Sequence, residues 1–197
     1  MLYSEPEAPK QPLGPMLRNS IILVTGRKGS GKSTWVRGII PRIRTSVVIL
    51  DPLSEYGSFG TIMPAAAFED RLECDDSPHT AIIQDGQDGL EAVLDLAYTL
   101  TPHTLIIEEA HRFCSPYYLS ESLSRIVREG RHRRISIVLV TQGVGDIHSR
   151  IVSQCDGMVC FVQRGPSDLR KIEGLVGREN ADKVSHLPCY ECLTFRF

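Results

Sequence analysis

Apolar residues fall in short unbroken runs along most of this chain, and the runs tend to end in a polar or acidic residue. Residues 21–25 read IILVT, 46–51 read SVVILD, and 135–141 read ISIVLVT. Runs without polar alternation mark strands buried on both faces. The strands predicted are 21–25, 46–51, 80–84, 104–108, 135–141 and 157–162, with a terminal strand over 190–197. Between them the apolar spacing shifts to three and four. That predicts helices over 32–40, 64–72, 90–100, 119–129, 147–154 and 166–175, the last opened by a proline. Buried strands alternating with amphipathic helices predict an α/β fold, with a mainly parallel central sheet and helices on both faces. No internal repeat or linker divides residues 19–197, so these form one domain. Residues 1–18 are proline-rich and aperiodic and read as an arm ahead of it.

Composition narrows the picture without changing it. The chain has 197 residues, 42% apolar and 23% charged, the balance of a soluble domain. Its formal net charge of −2 supplies no general field for nucleic acid, so any such contact needs a local basic patch or a ring of subunits. No apolar stretch approaches a membrane span, and the N-terminus lacks the basic-then-apolar pattern of a secretion signal. The six cysteines are too scattered for a disulfide scaffold. His186, Cys189 and Cys192 cluster, but a zinc site takes about four ligands, and on a strand Cys189 and Cys192 face opposite sides of the sheet, so zinc is the weaker reading. Cys155, Cys160 and Trp35 are assigned to the core.

Chemistry concentrates at three strand ends. After the first strand comes GRKGSGKST, which fits the phosphate-loop pattern G-x-x-x-x-G-K-[ST]. Gly26, Arg27, Lys28, Gly29, Ser30 and Gly31 form a turn whose amides, with the following helix N-terminus, make an anion cradle. Lys32 reaches the β and γ phosphates of ATP, and Ser33 offers its hydroxyl to Mg²⁺. Thr34 is either a helix residue or a phosphate contact. The fourth strand ends in Glu108 and Glu109. The first is assigned to the Mg²⁺ water shell and the second to the attacking water. This acid pair favours water over a small-molecule acceptor. The fifth strand ends in Thr141 and Gln142; beside the acid-bearing strand, Gln142 would face and sense the γ-phosphate.

Together these motifs resemble the FtsK/HerA superfamily of P-loop ATPases. The resemblance is carried by the phosphate loop, by ILDPLSEYG (49–57) with Asp51, Glu55 and Tyr56, and by IIEEAHRF (106–113) with His111. It continues through GRHRRISIVLVTQ (130–142), IVSQCDGMVCF (151–161), PSDLRKI (166–172) and HLPCYECLTF (186–195). Glu108 departs from the aspartate usual there, which implies shifted metal geometry more than lost activity. The resemblance implies a RecA-like core that assembles as a ring, usually a hexamer, and moves double-stranded DNA without reading its sequence. Members of this minimal size include the genome-packaging ATPases of tailless, membrane-containing icosahedral viruses. That placement implies capsid-vertex or membrane-protein partners, and a location in the host cytoplasm or with the virion.

The densest basic run is SRIVREGRHRR (124–134). Arg131 matches the family position that reaches into a neighbour's nucleotide site, and Arg128 is the runner-up; a solvated basic helix end is the plainer reading of the run. The loop GVGDIHSR (143–150) is a candidate DNA-facing element, with glycines for movement and His148 and Arg150 for contact. Three other functions stay open: a cellular or conjugative translocase of the same superfamily, a P-loop kinase of a small molecule, and an ATP-switched assembly protein.

Overall fold

The computed structural model describes residues 19–74, 78–100 and 102–197; the arm predicted over residues 1–18 lies outside the described residues. Its elements are β1 (Ile21–Thr25), α1 (Lys32–Ile39), β2 (Ser46–Leu50), β3 (Thr61–Met63), α2 (Ala65–Cys74), β4 (Thr80–Ile83) and α3 (Gln87–Thr99). They continue with β5 (His103–Ile107), α4 (Glu121–Glu129), β6 (Ile135–Thr141), α5 (Ser149–Val152), β7 (Gly157–Phe161), α6 (Pro166–Val176), α7 (Arg178–Ser185) and β8 (Cys192–Arg196).

The strands form one sheet in the order β3-β4-β2-β5-β6-β1-β7-β8. All neighbours pair in parallel except β8, which returns antiparallel along β7. This is the mainly parallel α/β core predicted. Its two faces are filled unequally. Ile22, Val24, Ile49, Ile106, Val138 and Val159 point to a face covered by α1, through Trp35, Val36 and Ile39, and by Tyr56 from the β2–β3 loop. The opposite face, lined by Leu23, Leu50, Ile107 and Leu139, packs against α2 through α7. Phe68, Leu94, Phe113 and Leu123 are fully buried there.

Register fixes where the chemistry lies. Thr25 of β1 pairs with Thr141 of β6, and Leu139 of β6 pairs with Ile107 of β5. The phosphate loop, the acid pair and Gln142 therefore leave the sheet side by side, at the carboxyl ends of the strands where α/β folds bind ligands.

Two elements were invisible to periodicity. β3 has three residues between Gly60 and Pro64, too few to show a period. Gly60 belongs there because a Cβ would lie 2.3 Å from the Thr80 carbonyl of β4. α7 is largely polar and buries only Ala181 and Val184; Gly177, at φ 83°, separates it from α6. Two predicted elements shrink. The 147–154 helix is reduced to the four residues of α5, because Val144–Asp146 form a separate 3-10 turn and Ile147 is extended. The terminal strand begins at Cys192, because Tyr190 sits in a turn at φ 68°. α4 is capped by Ser120, whose hydroxyl accepts the Leu123 amide at 3.2 Å, so it starts just after the 119 predicted.

Candidate active site

The turn from β1 into α1 forces its own sequence. Gly29 and Gly31 sit at φ 75° and 112°, where a side chain is strained. A Cβ on Gly31 would lie 2.9 Å from the Tyr190 backbone, and one on Gly26 would lie 2.5 Å from the Phe161 Cβ. The loop is further held by the Arg27 amide on the Val162 carbonyl at 3.1 Å and the Tyr190 amide on the Ser30 carbonyl at 2.8 Å. The β7 end and the turn before β8 thus clasp the cradle from behind. Ser30 is buried and its hydroxyl has no hydrogen-bond partner among the described residues. Lys32 folds back to donate to the carbonyls of Gly26 at 2.7 Å and Arg27 at 3.2 Å. Burial pulls its ammonium below the usual lysine range, while Glu108, Glu109 and Glu55 act in the opposite direction. The loop encloses a lysine within reach of a phosphate in the cradle.

The adjacent acids are held differently. Glu108 is 3% exposed, and its Oε1 accepts the Tyr56 hydroxyl. Burial pushes its carboxyl up to about 7, against the lowering effects of the Tyr56 bond and Lys32. Glu109 turns into the left-handed region at φ 50°. Such a conformation costs a non-glycine residue about 1 kcal/mol or more, and is tolerated where the surroundings hold it. Here Gln142 Nε2 donates to Glu109 Oε1 at 3.5 Å, and His111 Nδ1 lies 3.2 Å from Oε2. A cleft of about 380 Å³ lined by His111, Ser115, Pro116, Gln142 and Asp146 opens beside this group. The structure brings Lys32, Ser33, Glu108, Glu109 and Gln142 to one sheet edge.

Sequence reasoning missed the groups that hold these residues. Gln163, 3% exposed, donates from Nε2 to Thr25 Oγ1 at 3.0 Å and to the Gln142 carbonyl at 2.5 Å. It bridges the root of the phosphate loop to the backbone of Gln142. Asp168, in the first turn of α6, accepts the Gly145 amide at 2.8 Å. A Cβ on Gly143 would lie 2.7 Å from the same carboxylate oxygen. The glycines after Gln142, expected to provide movement, instead make room for Asp168. Val144 and Ile147 are buried, so part of the 143–150 segment is packed rather than free. Tyr56 and Asp168 lay inside motifs already singled out, but nothing in the letters gave them a role.

Arg131 and Arg128 lie at the other end of the sheet. Arg131 pairs with Asp156, whose Oδ2 accepts the amide of Ile21, the first residue of β1. The cradle begins after the last residue of β1. Five strand residues span roughly 16 Å, so Arg131 does not reach its own chain's cradle. Arg128 is exposed and makes no side-chain hydrogen bond or ion pair among the described residues. Arg125 and Arg133 stack on the Tyr98 ring, at 4.1 and 4.2 Å from its centroid.

No metal ligand set is needed beyond the oxygens present. Ser33 lies in the first turn of α1, directly after the cradle, and the buried Glu108 carboxylate, bonded by the Tyr56 phenol, leaves the same end of the sheet. Such hard oxygens fit Mg²⁺, which keeps several waters and takes few protein ligands beside phosphate. Among the described residues no helix is long and apolar enough to cross a membrane.

A phosphate loop, an acid-bearing strand and an amide-bearing strand between them, on a mainly parallel sheet, define a P-loop nucleoside triphosphatase. The chain belongs to the AAA domain family, whose model matches residues 17–149. It is similar to the genome packaging NTPase B204 of Sulfolobus turreted icosahedral virus 2 in complex with AMPPCP. That likeness has 26% identity and a TM-score of 0.78, and covers 90% of this chain and 92% of that one. A second B204 structure, described as the DNA-packaging ATPase of Sulfolobus turreted icosahedral virus, matches at 25% identity with a TM-score of 0.76. It covers 92% of this chain and 94% of that one. ATPases 2 and 3 of Thermomonospora curvata EccC share the fold alone, at 11% identity and a TM-score of 0.55, covering 76% of this chain and 30% of that one. No curated protein matches the sequence. The FtsK/HerA resemblance read from the motifs agrees with the B204 likeness, and the chain is an ATPase.

Proposed function

We propose that this chain is the ATP-hydrolysing motor that packages a viral double-stranded DNA genome into a preformed capsid. The observation that carries this reading is the likeness to a genome packaging NTPase over nine-tenths of both chains, with the phosphate loop, the acid pair and Gln142 gathered at one end of the sheet.

In this reading the amides of Gly26 to Gly31 and the start of α1 hold the triphosphate. Lys32 leaves the Gly26 and Arg27 carbonyls to bind the β and γ phosphates. Ser33 and Glu108 hold Mg²⁺, which neutralises developing phosphate charge when bound. Glu109 orients and deprotonates the attacking water, kept in place by His111 and Gln142. Loss of the γ-phosphate releases Gln142, and Gln163 and the Asp168-clamped loop carry that change to the root of β1 and to α6. Arg131, exchanging Asp156 for a neighbour's phosphate, completes the site across a head-to-tail ring, with Arg128 beside it. DNA contact is electrostatic and independent of sequence, and weakens steeply with salt.

The test is ATP turnover with and without duplex DNA, with assembly state followed by light scattering. A packaging motor shows turnover stimulated by duplex together with ring-sized particles. Turnover indifferent to DNA contradicts the motor and favours the assembly switch. A phosphorylated small-molecule product favours the kinase.

A further inference from the structure

We propose that Tyr56 is the positioning residue for the metal side of this site: its phenol fixes one oxygen of Glu108 and leaves the other for the divalent cation's water shell. This rests on the reading of Ser33 and Glu108 as the metal-side pair.

The placement of Tyr56 is built from β2 outward. Asp51, directly after β2 and fully buried, accepts the Glu55 amide at 2.9 Å on one oxygen. Its other oxygen accepts the Tyr56 amide at 3.0 Å and Gln84 Nε2 at 3.2 Å. Ser54 takes the left-handed region at φ 58°, and its amide closes the turn on the Asp51 carbonyl at 3.2 Å. So pinned, the turn drives the Tyr56 ring to 0% exposure in the cluster with Trp35, Val36 and Ile39 of α1. The Arg37 guanidinium closes over it at 5.9 Å and donates to the Glu55 carbonyl at 3.2 Å.

Packing alone needs only a phenylalanine here. The hydroxyl ends at the carboxylate assigned to the cation's water shell, donating to Glu108 Oε1. It is the one side-chain hydrogen bond Glu108 makes among the described residues. Glutamate has one more rotatable bond than aspartate, so a buried glutamate at a metal site needs a partner to select one rotamer. The phenol supplies it. An aspartate at 108 would be too short for the same contact.

The experiment titrates Mn²⁺ into protein bound to a non-hydrolysable ATP analogue and reads occupancy by electron paramagnetic resonance. Nucleotide affinity in EDTA and the melting temperature are recorded beside it. Tyr56→Phe is expected to weaken Mn²⁺ binding about 10-fold, within the range for lost metal-site partners, with metal-free nucleotide affinity unchanged. In a Glu108→Asp background the same substitution should change Mn²⁺ affinity less than about two-fold. Unchanged Mn²⁺ affinity in Tyr56→Phe, with only a lower melting temperature, overturns the proposal and leaves a packing role. If Tyr56→Phe does not fold, Glu108→Asp alone decides: weaker Mn²⁺ binding supports the proposal and unchanged binding overturns it. Ser33→Ala and Glu108→Gln that both bind Mn²⁺ normally would show instead that the metal-side assignment had failed.

Discussion

Strand β5 buries a titratable side chain at each end, and the two ends are built for different purposes. His103 opens the strand at 1% exposure, its Nδ1 on the Leu100 carbonyl at 3.0 Å and its Nε2 without a partner among the described residues. Burial pulls its imidazole down to about 4. Glu108 follows the strand at 3% exposure, tied to Tyr56, and burial pushes it up to about 7. The histidine is kept neutral by the core that buries it. The glutamate end adjoins Lys32, Glu109 and Gln142, and its charge is useful once a cation and phosphate arrive. Burial alone therefore does not mark function; the neighbours of the buried group do. The same contrast runs across the whole sheet. One edge gathers glycines, acids and an amide, while the other presents arginines held by groups they can exchange.

The comparison can be broken hardest at the glutamate end. Lys32→Ala removes the lysine that folds over the cradle, and ATP turnover should fall by more than about 100-fold; a phosphate-release assay showing full activity would remove the phosphate-loop assignment.

A smaller and more diagnostic effect lies in acid stability. His103 is charged more readily unfolded than folded. Its contribution is present above about 6.5 and is lost as pH falls toward about 4, worth about 3 kcal/mol. Glu108 has the opposite sign. Its contribution is present below about 4.5 and is lost as pH rises through about 7, again about 3 kcal/mol. In wild type the two nearly cancel. Urea unfolding of Glu108→Gln should lose stability on going from pH 6.5 to 4, and His103→Gln should lose it on going from pH 4.5 to 7. Parallel curves for both variants would contradict the contrast between the ends.

The smallest effect sharpens the reading of the arginine edge. Arg133 stacks on Tyr98 and donates to its carbonyl at 3.3 Å, so Arg133→Ala should cost under about 1 kcal/mol in thermal stability and leave ATP turnover unchanged. A large loss of turnover would move the functional arginine from Arg131 to Arg133.

Much of this was legible in the letters, because unbroken apolar runs and a glycine-lysine-serine turn are local signals. The strand bearing Gln142 could be placed beside the acid only conditionally, since strand order depends on contacts far apart in sequence. β3 and α7 escaped because one is shorter than a period and the other buries too few residues to show one. Gln163 and Tyr56 escaped for a different reason. Each acts through a hydrogen bond to a residue distant in the chain, Thr25 for one and Glu108 for the other, and no spacing rule encodes that. The glycines at 143 and 145 were visible, but their reason, the approach of Asp168, was not.

The central claim is that the two sheet edges of adjacent copies complete one hydrolytic site. Mixing Arg131→Ala subunits with Lys32→Ala subunits tests it most directly. Each variant alone should be inactive, and an equal mixture should recover activity at about a quarter of the interfaces, where an intact cradle meets an intact arginine. No recovery from mixed assemblies, or full turnover by Arg131→Ala alone, would contradict the claim.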